Sequence, residues 1–472
     1  MPRLQREYPK VYRDWSAKEW KSGTRKRFPL REDWHQARYY AMLSYWGGRA
    51  EAYGRGLLED DLIYYDVDSL YPSTAALQPL PNAETQWITF RTLGETKGLE
   101  GYACVSFKFP STVEYPCIPV MGFRSGKLYF PLEGEHCWCT LSEIREARRL
   151  GAEVGDIFGT GFEPHDAERN HPMKEYAEKF MKLKRDSKED KKNSWKYPLY
   201  KMLLNGPIGK FWETEKDFMT GRILKQYKKN VVKWDQVKDL HRDWNKVVRK
   251  SPRRTGSAWW PEAASLILGK ARALMSQFIS KGAFMAITDS VLLPRGTDLE
   301  CDALKSLREV GSKLDIQVEA HKAWIMRTKV YALWKRKSEE IFARRHGFDM
   351  KQKDFEKWIQ DSVNTGSGDA PIAEARHLVS LKRSMQTGRK LGSEEIHESH
   401  PKLDWDGKRI EQPVDLFREF KRFLPLKENP DQVEPKGRPK KSAKNVLYNY
   451  SRFSSGHSFS GNLEEDLKAE DS

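Results

Sequence analysis

The sequence has no apolar run of about 18 residues, which excludes a helix long enough to span a bilayer. Its N-terminus, MPRLQREYPKVYRDW, has no apolar centre, which excludes a secretory signal. Glu7, Asp14 and Glu19 in the same region argue against an acid-poor transit peptide. Cysteine is scarce: Cys104, Cys117, Cys137, Cys139 and Cys301 are five, an odd number, and they are scattered. That excludes a disulfide framework and favours a reducing compartment. Cys137-x-Cys139 beside His136 is too tightly spaced for a zinc knuckle, and no second pair follows.

Charge is what the chain has in excess. Across 472 residues, 83 Lys and Arg face 67 Asp and Glu, a formal net charge of +16. The excess is spread over most of the length. A basic body of this size faces a polyanion, nucleic acid before an anionic membrane, and no amphipathic anchor supports the membrane. The length allows a large, multi-lobed protein with a sizeable core.

Residues 1–34 are basic and aromatic with little periodicity, so they read as an arm. A helical pattern runs from Trp34 to Tyr45 and breaks at Tyr45-Trp46-Gly47-Gly48-Arg49. Paired glycines let a backbone approach a neighbour closely; taken alone, a capped helix end followed by a turn is the plainer reading. Residues 77–165 read as a small α+β insertion, with an alternating strand at Ala103–Pro110, a short strand at Lys127–Pro131 and a helix at Leu141–Leu150. Residues 172–204 read as a helix pair divided near Lys191–Trp195. From Lys174 to Lys201 there are ten Lys/Arg and five Asp/Glu. Lys201 and Asn205 fall one turn apart on one face, where a cation and an amide can hold a nucleotide's phosphates and sugar. Residues 221–254 carry twelve Lys/Arg and three acids among Tyr227, Trp234 and Trp244. That mixture suits nucleic acid, a protein partner or a solvated helix. A strong helix opens at Pro261-Glu262, runs to about Ser280 and ends at Gly282. Residues 335–427 read as helical and basic, and 430–472 as a disordered tail.

Two apolar stretches each carry a lone carboxylate. Ile63-Tyr64-Tyr65 is β-prone, Asp66 stands where the strand ends, and Pro72 stops it. Asp289 sits at the tight turn of a strand pair, Ala283–Leu293. A carboxylate cannot lie unpaired in a core without a cost of several kcal/mol, so each must reach solvent, a cation or donors. Two strands of one sheet can bring both acids together around Mg²⁺, which takes oxygen ligands and few protein ones. A strand with a capped turn is the plainer account of either stretch. A third strand, Thr328–Trp334, places Lys329 and Tyr331 two apart and therefore on one side.

In order along the chain, these residues resemble the signatures of the family-B DNA polymerases, protein-primed group, over roughly residues 35–335. Asp66-x-x-Ser69-Leu70-Tyr71-Pro72-Ser73 is similar to the first palm motif and Lys201-x-x-x-Asn205 to the fingers motif. Thr288-Asp289-Ser290 is similar to the second palm motif and Lys329-x-Tyr331 to the primer-strand motif. Tyr45-x-Gly47-Gly48 is similar to the loop that joins exonuclease and polymerase in that group. No paired-Asp turn occurs, which sets a reverse transcriptase aside.

The resemblance implies an α+β right-hand polymerase with a palm sheet, helical fingers, a helical thumb and no exonuclease domain. It divides the chain into an arm (1–34), the palm start (35–76), a first insertion (77–165) and fingers (166–212). A second insertion (213–258), the rest of the palm (259–334), a thumb-like region (335–429) and the tail (430–472) follow. The two insertions correspond to the group's terminal-protein regions. The implied reaction is template-directed deoxynucleotidyl transfer to a primer 3′-hydroxyl or a terminal-protein hydroxyl, in DNA replication. Asp66, Asp289 and the carbonyl of Val67 are implied to hold two Mg²⁺ ions, with Mn²⁺ as a substitute. Ser69, Leu70, Tyr71, Lys201 and Asn205 are implied to bind the deoxynucleoside triphosphate, with Tyr71 excluding a 2′-hydroxyl. Tyr45, Gly47, Gly48, Thr288, Ser290, Lys329 and Tyr331 are implied to bind primer and template. The implied partners are DNA, a terminal protein and a separate exonuclease chain, in the host cytoplasm or nucleoid and not secreted. Three departures weaken the match. Ile287 replaces an acid of the second palm motif, and Gly206-Pro207-Ile208-Gly209 replaces Ser-x-Tyr-Gly. Too little chain precedes Tyr45 for a proofreading domain. The first two support the competing reading, an idle polymerase fold that only grips nucleic acid or a primer protein.

Overall fold

The computed structural model describes residues 32–82, 85–122, 125–164, 171–189, 194–212, 258–338, 340–346, 351–366 and 403–430. It also describes short stretches at 218–219, 247–248, 368, 373–378, 390 and 393–399. The basic arm, nearly all of the 213–258 insertion and the tail beyond 430 lie outside the described residues. The chain forms two compact units, one of residues 14–212, 258–344 and 405–472, the other of 1–13, 213–257 and 345–404.

In the larger unit, helix α1 (Glu32–Leu43) leads through the glycine loop into strands β1 (Ala50–Ala52) and β2 (Gly54–Val67). Helix α2 (Leu70–Leu77) follows. The strand ends at Val67, so Pro72 does not stop it as expected; it sits instead in the first turn of the helix, where its missing N–H costs nothing. Strands β3 (Ile88–Phe90), β4 (Glu100–Lys108), β5 (Val120–Met121), β6 (Leu128–Tyr129), β7 (Glu133–Thr140) and β8 (Glu153–Phe162) come next, with α3 (Leu141–Arg149) before β8. Four of them make an inserted antiparallel sheet in the order β3-β8-β4-β7, the small α+β insertion expected for 77–165. Thr140 and Glu143 form a capping box at the start of α3, and Arg148 and Arg149 sit favourably in its last turn.

The helix pair is present as α4 (Lys174–Glu189) and α5 (Tyr197–Lys210). Helix α6 (Pro261–Ile279) is buried along nearly its whole length. Strands β11 (Met285–Ile287) and β12 (Ser290–Pro294), helix α7 (Asp302–Glu309), and strands β13 (Leu314–Arg327), β14 (Val330–Lys335) and β15 (Ile341–Arg345) complete the central region. The central sheet runs β1-β11-β12-β2-β13-β14-β15, and β18 (Phe420–Arg422) pairs with β2. Both faces are covered, which explains the unbroken apolar run at 62–65. Ile63, Tyr65 and Val67 pack with Leu274, Phe278, Val291 and Leu293. Leu62 and Tyr64 pack on the other face with Leu292, Val318, Ile325 and Tyr331. By alternation Asp66 belongs to the second face.

The smaller unit holds the short pair β9 (Phe218–Met219) and β10 (Val247–Val248), helix α8 (Gln352–Thr365), and the hairpin β16 (Ala373–Leu378) with β17 (Glu394–Ser399). The expected helical region at 335–429 is thus corrected. Its described residues hold one helix among strands, and 405–430 returns to the palm sheet. That return is fixed by Glu51, which accepts from Arg49 (2.8 Å) and Arg409 (2.8 Å), all three about 1% exposed. No described helix is long and apolar enough to cross a membrane, and no disulfide joins the five cysteines.

Candidate active site

Strand pairing brings the two carboxylates together. β2 and β12 are antiparallel with Asp66 opposite Ser290, and Ile287 opposite Ser290 closes the β11–β12 turn over Thr288 and Asp289. The Val67 amide donates to the Asp289 carbonyl at 2.8 Å, locking the turn onto the end of β2. Ser290 Oγ donates to Asp66 Oδ1 at 2.7 Å, and Thr288 Oγ1 donates to Asp289 Oδ1 at 3.0 Å. Burial pushes the Asp66 carboxyl above its ordinary range. The Asp289 charge pushes the same way, against hydrogen bonds from Ser290 and Gln317. Among the described residues neither carboxylate has a cationic partner. Two adjacent acids that repel each other and lack a cation fit Mg²⁺.

The glycine loop closes one side. A Cβ on Gly48 would lie 2.4 Å from the Tyr71 hydroxyl and 2.8 Å from Thr288 Cγ2, so glycine is required by contact. The Thr288 amide donates to the Arg49 carbonyl at 2.7 Å. Tyr45 stacks on Trp212 with centroids 3.7 Å apart and planes at 4°. Burial pushes both the Tyr45 and the Tyr71 hydroxyls up to about 12. Gly47, by contrast, faces open space.

Three motif residues, Ser69 (φ 58°), Thr288 (φ 56°) and Lys329 (φ 65°), have left-handed backbone although none is glycine. Such conformations cost of order 1 kcal/mol or more and collect at functional sites. Ser69 precedes α2, whose first residue, Leu70, is buried. Lys184 of α4 pairs with Asp68 and donates to Ser69 Oγ at 2.8 Å. Lys201 and Asn205 are both exposed on α5, one turn apart, and the Asn205 amide donates to the Lys201 carbonyl at 2.9 Å.

The primer-strand motif needs correcting. Lys329 is not on the strand but in the turn between β13 and β14, with Arg327 opposite Val330, so it does not share a side with Tyr331 by alternation. Tyr331 is buried, and its hydroxyl lies 3.2 Å from that of Tyr64. Its route to the site runs through Tyr64, whose hydroxyl lies near Ser290 and is pushed up by burial and by both acids. Asp406 holds the turn, accepting from Thr328 Oγ1 at 2.6 Å.

Sequence reasoning missed Lys184, Arg272 and Glu143. Nothing in the 174–201 charge run marks Lys184 as buried. Arg272 and Glu143 are distant in sequence, but they pair at 2.7 Å with almost no exposure.

An antiparallel sheet carries the two carboxylates at adjoining strand ends, beside a basic helix pair. Residues 30–242 match the family described as DNA polymerase type B, organellar and viral. The primer-independent DNA polymerase PolB of Escherichia coli is 38% identical over 112 residues, 23% of this chain and 13% of that protein. Phi29 DNA polymerase in ternary complex with primer-template DNA and nucleotide has a TM-score of 0.53 at 15% identity, covering 79% of this chain and 63% of that one. Its orthorhombic crystal form gives 0.50 at 14% identity, over 72% and 60%. The chain thus spans only a small part of the curated relative and under two thirds of Phi29 polymerase. The chain shares its fold with the Phi29 polymerase structures, and the family match covers a little under half of it.

Proposed function

We propose that this chain is a template-directed DNA polymerase that transfers deoxynucleotides to a 3′-hydroxyl. The observation that carries the reading is the pairing of β2 with β12, which sets Asp66 beside the turn that bears Asp289. Two Mg²⁺ ions held by Asp66, Asp289 and the Val67 carbonyl would activate the primer hydroxyl and steady the leaving pyrophosphate. The chain's own residues do the rest. Ser290 orients Asp66 and favours its charged form. Tyr71, backed by Gly48, sits where a 2′-hydroxyl would collide. Lys201 and Asn205 present a cation and an amide to the triphosphate. Lys329, exposed in its turn, meets the primer phosphates, while Tyr331 supports Tyr64 from inside the sheet. Two half-buried acids with no cationic partner among the described residues disfavour the idle fold.

Initiation from a terminal-protein hydroxyl is the finer part of the proposal, supported by the match to an organellar and viral family. The name of the Escherichia coli relative adds a primer-independent start. The test is incorporation by the purified chain with Mg²⁺ on a primed template, on bare single-stranded DNA, and on DNA with a candidate terminal protein. Template-directed extension of the primer supports the polymerase reading, and the other two arms choose the mode of initiation. DNA binding with no incorporation in any arm, with Mg²⁺ or Mn²⁺, favours the idle fold.

A further inference from the structure

The loop Tyr45–Arg49 belongs to no helix or strand, yet it is tied down along its length. Tyr45 stacks on Trp212. The Trp46 indole N–H donates to the Trp138 carbonyl of β7 at 2.6 Å. The Arg49 carbonyl receives the Thr288 amide. The carbonyls of Trp46 and Gly47 share one donor, Nη1 of Arg272, at 3.0 Å for Gly47. Arg272 lies on α6 and is 3% exposed. Its Nε donates to Glu143 Oε1 at 2.7 Å. Glu143 is fixed in turn, because Oε2 accepts the Thr140 amide and hydroxyl, each at 2.9 Å, at the start of α3.

A planar guanidinium can serve a carboxylate on one edge and two carbonyls on another, and an ammonium cannot keep that geometry. The next residue, Gly48, packs against Tyr71 too closely for any side chain. A shift at Gly47 is therefore passed to the hydroxyl of Tyr71. We infer that Arg272, oriented by Glu143 of α3, is a positioning residue that sets the glycine loop and, through it, the sugar-discriminating Tyr71. The consequence for sugar choice rests on the polymerase reading above; the hold on the loop does not.

The test is the double variant Arg272→Met with Glu143→Gln. It removes both buried charges together, so neither is stranded, and Gln keeps an acceptor for Thr140. Two readouts are taken on the full chain: amide hydrogen exchange of residues 45–50, and the ratio of ribonucleotide to deoxynucleotide incorporation. The expected result is cooperative unfolding near that of wild type, faster exchange in the loop, and a ratio raised roughly tenfold or more, since small misplacements at a reacting centre are costly. Arg272→Lys, which keeps the charge beside Glu143, is expected to behave like the double variant. It carries the same readouts if the double variant does not fold. Wild-type exchange and wild-type sugar choice in a folded variant would overturn the inference and leave the pair a packing element. Faster loop exchange in a chain whose wild type extends no primer would overturn the polymerase reading while leaving Arg272 as the anchor.

Discussion

Ser290 Oγ lies 2.7 Å from Asp66 Oδ1, and the two residues face each other across adjacent antiparallel strands. A hydrogen bond to a charged group contributes roughly 1.5–3 kcal/mol, so Ser290→Ala should slow extension about tenfold or more. The pH dependence has a definite sign. The bond from Ser290 favours the ionised Asp66, against burial and the Asp289 charge. Removing it keeps Asp66 protonated to higher pH. The acid limb of the pH–rate profile should therefore move upward in the variant, and an unmoved limb would count against Ser290 as the support of Asp66.

Metal should act on stability as well as on rate. With its folded-state pKa raised, Asp66 holds its proton longer in the native state than in the unfolded chain. Stability is lost as pH rises from the ordinary carboxylate range through the raised value. At neutral pH, Asp66→Asn should raise the melting temperature of the metal-free protein, and Mg²⁺ should stabilise wild type more than the variant. Equal Mg²⁺ responses in a thermal melt would contradict this.

Gly48→Ala should disturb the site without unfolding the molecule. Its Cβ would meet the Tyr71 hydroxyl and Thr288 Cγ2, the hydroxyl being the nearer of the two. Extension should fall and ribonucleotide exclusion should weaken. Adding Tyr71→Phe should recover part of the rate. A Gly48→Ala chain with wild-type kinetics would show that the loop yields freely.

The return of 405–430 to the palm gives a stability prediction. Glu51 is buried between Arg49 and Arg409, with the rings of Tyr53 and Phe130 beside the guanidinium groups. Arg409→Met leaves Glu51 paired with Arg49 but strips a donor from it and from the Phe423 and Glu114 carbonyls, so denaturant unfolding should show a loss of about 1–3 kcal/mol. A loss under about 1 kcal/mol would mean that strand pairing and apolar contacts hold the segment without help from the ion pair.

Much of the palm was legible. Apolar runs ending in Asp66 and Asp289, Pro261 at a helix start and glycines at helix ends are local signals, and the structure shows those elements. What was hidden was non-local or depended on one dihedral. Lys329 and Tyr331 obey strand alternation only if Lys329 is extended, and its φ of 65° puts it in a turn. The region 335–429 has a polar, basic composition that suits exposed helix and exposed hairpin alike, and the pairing of Phe420 with Gly56 is invisible in either stretch. Arg272 and Glu143, 129 residues apart, become partners only when α3 and α6 are packed together.

The most direct test of the central claim is extension of a primed single-stranded template with Mg²⁺ by wild type beside Asp66→Asn and Asp289→Asn, with primer-template affinity measured in parallel. The account predicts that both variants bind DNA as wild type does and extend at least about a thousandfold more slowly, a barrier increase of roughly 4 kcal/mol. Variants that extend at the wild-type rate would show that the two carboxylates joined by β2 and β12 are not the centre of the chemistry.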